Sequence, residues 1–201
     1  TYDGLNCFDG QGMEVYRSDF SKSQTLDNNV IFSIDRADGN NLWISTSNGV
    51  NLFSRDRRCV VASYAFPAEG NLRSNAKGNA WMVSPDSISY YNTRLNRFVR
   101  TEGVHIPVSD PGRQMFVCGT GELWLFPDAP GLGDMYRISV DSFDRESPVG
   151  GVIFSKTRFH HRAIEMLFCQ DDKTFCFIDS NKDLYIYCLL YTSPSPRDMR
   201  R

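Results

Sequence analysis

The stretch Ile31–Phe53, IFSIDRADGNNLWISTSNGVNLF, reads as three short strands separated by two turns. Ile31-Phe32-Ser33-Ile34 is a β-rich run that gives way to Asp38-Gly39, a dipeptide that tolerates the positive φ of a tight turn. Leu42-Trp43-Ile44-Ser45-Thr46 is the second strand; Asn48-Gly49 turns the chain again, and Val50-Asn51-Leu52-Phe53 is the third. Successive side chains of a strand point to opposite faces, so three apolar residues in a row at Leu42, Trp43 and Ile44 call for cover on both sides. A sheet packed between two others supplies that cover.

The same pattern recurs along the chain. A shift of 38 lays Asn79-Ala80-Trp81-Met82-Val83-Ser84 on Asn41–Thr46 and Ile88-Ser89-Tyr90-Tyr91 on Val50–Phe53. A third copy centres on Glu122-Leu123-Trp124-Leu125-Phe126, preceded by Met115-Phe116-Val117 and followed, after an enlarged turn at Pro127–Asp134, by Met135–Ile138. A fourth, laid down without a gap at a shift of 134, puts Phe177 on Trp43, Leu184–Tyr187 on Val50–Phe53 and Glu165–Phe168 on the opening strand. The anchors Trp43, Trp81, Trp124 and Phe177 are then 38, 43 and 53 residues apart, and all three tryptophans of the chain share one repeat position. A period of about 40–50 residues with four strands is that of a propeller blade. The expected fold is all-β, a partial β-propeller of four-stranded antiparallel blades: three complete and two partial.

Taken in order, the chain opens inside a blade, because Gly4-Leu5-Asn6-Cys7-Phe8-Asp9 matches Gly49–Ser54 and leaves the first two strands of that blade upstream. The blades are expected at about 1–20, 30–66, 70–100, 113–156 and 163–187. Pro127–Asp134 and Asp141–Arg162 read as the longest insertions, and insertions in repeat folds gather on a face that often binds. Residues 188–201 are set apart: Cys188–Asp198, CLLYTSPSPRD, resembles a translated transposase-type sequencing adapter, which makes 1–187 the propeller fragment and the tail non-native read-through. Without Arg197, Arg200, Arg201 and Asp198 the chain holds 19 basic and 23 acidic residues, a net charge of −4. Mild acidity with no basic stripe argues against nucleic acid as a partner.

Candidate chemistry is sparse. Arg57 and Arg58 could meet an anion, but a charge run of this kind is first a solvated turn. His160-His161 is a poor metal pair on a strand, where neighbours point oppositely, and no metal or cofactor is expected. The cysteines Cys7, Cys59, Cys118, Cys169 and Cys176 form no Cys-x-x-Cys pair; buried thiols are the simpler reading, with a Cys169–Cys176 bridge the one alternative. Trp43, Trp81 and Trp124 invite a role as sugar platforms, yet a shared mid-strand repeat position marks packing residues. Asp38, Gly39, Asn48 and Gly49 are turn formers. No catalytic residue is assigned.

From Ser33-Ile34 through Asp38-Gly39-Asn40-Asn41-Leu42-Trp43-Ile44-Ser45-Thr46 to Gly49-Val50-Asn51-Leu52-Phe53, the pattern resembles the regulator-propeller repeat of two-component sensors. Ser45 stands where that repeat has glycine. The resemblance implies a periplasmic propeller that senses ligands, commonly oligosaccharides, in a homodimeric inner-membrane parent. A membrane helix and a histidine kinase would lie downstream of this stretch. It implies a binding role and no enzyme activity for the fragment itself. The alternatives are a secreted propeller lyase or glycoside hydrolase, or a protein-interaction scaffold. An enzyme needs acid–base partners, and Glu122, Asp134, His105 and His160 are the available groups, though no spacing ties them together.

Overall fold

The computed structural model describes residues 2–65, 71–75, 77–84, 87–101, 115–126, 133–140, 152–159, 164–169 and 174–188. Every regular element among them is a β-strand, and the described pairings are antiparallel. The first sheet pairs β1 (Leu5–Phe8) with β2 (Met13–Tyr16). The second runs β3 (Ile31–Arg36), β4 (Asn41–Thr46), β5 (Gly49–Ser54), β6 (Cys59–Ala65) in spatial order. The third follows the same order with β7 (Asn71–Ser74), β8 (Ala80–Ser84), β9 (Ser87–Asn92) and β10 (Arg97–Thr101). The fourth holds β11 (Met115–Val117), β12 (Leu123–Leu125), β13 (Gly133–Val140) and β14 (Val152–Phe159), and the fifth β15 (Ile164–Cys169), β16 (Thr174–Asp179) and β17 (Leu184–Cys188). Four-stranded up-and-down sheets in series are propeller blades, and the fold is all-β.

Two compact units divide the chain, Thr1–Pro107 with Asp141–Val152, and Val108–Val140 with Ile153–Arg201. In the first, period-2 alternation sorts the second sheet's side chains between two cores. Leu42, Ile44 and Phe53 meet Leu5 and Tyr16 of the first sheet. Trp43, Val50 and Leu52 meet Leu72, Ala80 and Met82 of the third. Trp43 sits in a cage of Tyr64, Tyr91 and Phe98, its ring 4.9 Å from Tyr91 in an edge-on arrangement. Tyr64 and Tyr91 both donate to Asn96 Oδ1, which locks the cage from outside. In the second unit Phe116, Trp124 and Phe126 pack against Phe175 and Phe177.

Four details depart from the sequence reading. The turn after β4 is Ser47-Asn48, one residue earlier than expected, with Gly49 already paired in β5. The stretch Asp141–Arg162 is not an uninterrupted insertion: Val152–Phe159, rich in valine, isoleucine, threonine and phenylalanine, forms the fourth sheet's last strand, and β13 begins at Gly133 inside the enlarged turn. β17 runs one residue past Tyr187, with Cys188 opposite Thr174.

The fourth concerns Phe177. It is fully buried, but it packs back onto Phe116 and Trp124 of the preceding sheet, as Ile44 and Met82 do in theirs, whereas Trp43 packs forward onto the next. The ungapped alignment slips by one residue. Asp179 and Asp183 close a three-residue loop whose last member, Lys182, has φ 70°, where Thr46 and Gly49 close a two-residue loop. With that insertion Cys176, also buried, takes the tryptophan position and Phe177 the Ile44 position. Cys176 lies opposite Phe168, while Cys169 lies opposite Phe175.

Removing the Trp43 ring leaves its cage unfilled. Trp43→Ala is expected to cost about 3–5 kcal/mol in urea denaturation. Phe20→Ala, at a side chain 95% exposed, should change stability by no more than about 0.5 kcal/mol. Equal effects would contradict the packing described.

Candidate functional site

A cleft of about 590 Å³ opens between the first sheet and the second. Its walls come from β1 and β2 on one side and from Ile34, Leu42 and Phe53 on the other, with Arg55 and Arg58 at the turn after β5. A smaller cleft of about 410 Å³ lies beside it and shares Tyr16, Phe53 and Arg58.

Local chemistry sets each side chain. Asp9 Oδ1 accepts the Gln11 and Gly12 N–H groups at 2.8 and 2.7 Å, which closes the β1–β2 turn and holds the exposed carboxyl below its ordinary range. Tyr16 packs edge-on against Phe53 at 4.9 Å and donates to Glu14 Oε2 at 2.6 Å. Burial, and then the Glu14 carboxylate, push the Tyr16 hydroxyl up to about 12. Arg58 reaches the same Glu14 oxygen at 3.2 Å, so the sequence candidate for an anion contact is occupied by an acid of the chain itself. The pair is exposed and screened, worth less than about 1 kcal/mol. Arg58 adopts a left-handed φ of 55° at the end of its turn, as Asn96 does at the corresponding place in the third sheet. Asn suits that conformation better than Arg.

A polar network missed in the sequence fixes the rim of the second sheet. Asp27 Oδ1 accepts Thr46 Oγ1 and Asn51 Nδ2, each at 2.6 Å, and the Asp27 carbonyl accepts Asn48 Nδ2 at 3.1 Å. Asn51 and Thr46 are buried inside otherwise apolar strands. A buried polar residue in a run of apolar ones was the available signal, because such a group needs a partner. Asn48 is thus a clip on the crossing segment as well as a turn residue; Gly39, with φ 64°, carries the Asp38–Asn40 turn.

Between β3 and β7, Asp35 lies 3.9 Å from Arg73. Burial raises its carboxyl to about 6 against the opposing pull of Arg73 and the Ser74 N–H. In the second unit Glu122 is bound by Arg137, whose Nε donates to it at 3.0 Å while the guanidinium lies 5.8 Å from the Trp124 ring centre. Glu122 is therefore engaged in an ion pair. His105, His160, His161 and the Asp134 side chain lie outside the described residues, as do 189–201 and most of both long insertions. Trp43, Trp81 and Trp124 are buried and present no platform to solvent.

No protein-family profile matches the chain, and no curated protein matches it. Solved structures do. The extracellular domain of a putative one-component system from B. thetaiotaomicron aligns over 96% of this chain and 27% of its own, at 15% identity and TM-score 0.58. The WD40 domain of SCAP from fission yeast aligns over 83% of this chain and 40% of its own, at 11% identity and TM-score 0.58. Kuenenia stuttgartiensis hydrazine synthase aligns over 86% and 50%, at 12% identity and TM-score 0.52. The chain spans half or less of each. At these identities the likeness establishes the fold, a propeller-type one.

Asp35 gives a pH test. A carboxyl raised in the folded state binds more protons there than when unfolded, so its contribution falls as pH rises from about 4 to about 6 and is level above. Wild-type stability relative to Asp35→Asn should drop by roughly 2–3 kcal/mol between pH 4 and pH 7 in urea titrations. A difference independent of pH would contradict the assignment.

Proposed function

We propose that this chain is part of an extracytoplasmic, ligand-sensing propeller of a two-component-type sensor. The observation that carries the reading is the Ser33–Phe53 repeat, which resembles the regulator-propeller repeat and lies within β3–β5, three of the four strands of the second blade. The likeness of the fold to the extracellular domain of a putative one-component system supports it. The ligand class we favour is an oligosaccharide, and the parent a periplasmic-facing homodimer anchored by a helix and joined to a kinase. In this scheme the blades form a rigid frame and the ligand acts by binding one arrangement of the parent more tightly than another. The fragment is a binder, with signalling carried elsewhere.

The alternatives, a secreted lyase or hydrolase and an interaction scaffold, differ in what they do to sugar. Thermal-shift and calorimetric titration of the 201-residue chain against a panel of neutral and acidic oligosaccharides separates them. A true ligand at a hundred times its Kd should add about 2.7 kcal/mol of stability and leave the sugar intact. Cleavage of any sugar, or silence across the panel, would overturn the sensor reading.

A further inference from the structure

Asn48-Gly49 is the chain's one Asn-Gly step. Glycine has no side chain to shield its own main-chain nitrogen, so at such a step that nitrogen can reach the carbon of the preceding side-chain amide. Asn48 is exposed at the tip of the β4–β5 hairpin, and Gly49 opens β5. Water has access to the amide, and the chemistry of the step needs nothing else.

The fold holds this step still. Asn48 Nδ2 donates to the Asp27 carbonyl at 3.1 Å and Asn48 Oδ1 accepts Asn28 Nδ2 at 3.2 Å, so the crossing segment engages both ends of the amide. The main chain of the turn is tied as well. The Ser47 N–H donates to the Val30 carbonyl at 3.1 Å, and the Asn48 N–H to Thr46 Oγ1 at 3.2 Å. Thr46 Oγ1 in turn donates to Asp27 Oδ1 at 2.6 Å. To bring its Cγ onto the Gly49 nitrogen, the Asn48 side chain must leave Asp27 and Asn28 together. Reaction therefore requires the hairpin tip to part from residues 27–30.

We infer that Asn48 is a site of spontaneous deamidation, gated by its own clip to the crossing segment. In the opened state the Gly49 nitrogen gives up its proton to solvent and bonds to Asn48 Cγ. The Cγ–Nδ2 bond breaks, ammonia leaves, and a succinimide ring remains. Water then opens the ring at one carbonyl or the other, giving aspartate or isoaspartate; nothing is oxidised or reduced. Neither product can reclose the clip, because a carboxylate has no hydrogen for the Asp27 carbonyl and adds a negative charge next to Asp27. Isoaspartate also lengthens the main chain of the Ser47-Asn48 loop by one carbon. The modification is one-way and unlatches the crossing segment from the hairpin. It is independent of what the parent protein senses.

The test incubates the full 201-residue chain, folded and unfolded in urea, in heavy-oxygen water at mildly alkaline pH. Digestion and mass spectrometry then follow the amide-to-acid mass gain at Asn48, and the heavy oxygen marks conversions that preceded digestion. The folded chain should convert at least about ten-fold more slowly than the unfolded one, because only its opened fraction reacts. Asn28→Asp keeps an acceptor for the Val30 N–H but offers Asn48 Oδ1 no donor. It should raise the folded rate at least about three-fold with circular dichroism unchanged, and so should the uncharged Asn28→Ala. Converted chain should show faster amide exchange at residues 27–30. Equal rates in the folded and unfolded chain would overturn the inference. So would folded variants that convert no faster than wild type, or a folded chain with no conversion at Asn48 once the unfolded chain has converted fully.

Discussion

A twisted four-stranded sheet with apolar side chains on both faces cannot cover itself. In this protein the second sheet resolves the problem by alternation: Ile44 and Phe53 serve one neighbour, Trp43 and Leu52 the other. The indole is the largest side chain in that arrangement, enclosed by apolar and aromatic residues of two sheets. Aromatic burial of this size dominates the local energetics, and edge-on contacts with Tyr91 and Phe98 fix its direction. The position of Tyr64, the Asn96 lock and the spacing between the second and third sheets follow from the space the ring needs. Between the first and second sheets a cleft of about 590 Å³ opens.

The polar residues refine what the apolar ones establish. Asp27 gathers Thr46, Asn48 and Asn51, joining the crossing segment to the β4–β5 hairpin. Asp179 does related work at the β16–β17 turn, where its carboxylate accepts the Asn181 and Asp183 N–H groups. Asp179 ends the central strand β16 and satisfies turn donors that a hydrophobic residue there would leave unpaired. Asp35 is different: its burial is a cost at neutral pH, only partly offset by Arg73 and Ser74.

The central strands were legible because their signal is doubled: an apolar triplet at Leu42–Ile44 and a turn residue on each side. The tryptophans marked the repeat because all three fall at one repeat position. Legibility failed where a turn changed length. One extra residue between Asp179 and Asp183 leaves composition untouched but exchanges the faces, so Phe177 was placed on the tryptophan face when it belongs to the opposite one. The outer strand Val152–Phe159 was hidden in a long connection because outer strands carry mixed polarity, KTR among its VIF and F. The cleft could not be read at all. It depends on which sheets pack together, and its residues look individually like ordinary strand positions.

Amide hydrogen exchange on the intact chain tests the central claim most directly, that enclosure between two sheets sets local stability. Segments Asn41–Thr46 and Ala80–Ser84, the central strands with buried tryptophans, should exchange at least about a hundred-fold more slowly than Leu5–Phe8, whose strand has one neighbour. Equal protection of Leu5–Phe8 and Asn41–Thr46 would contradict the account, because it would mean that the inter-sheet tryptophan is not what holds these strands.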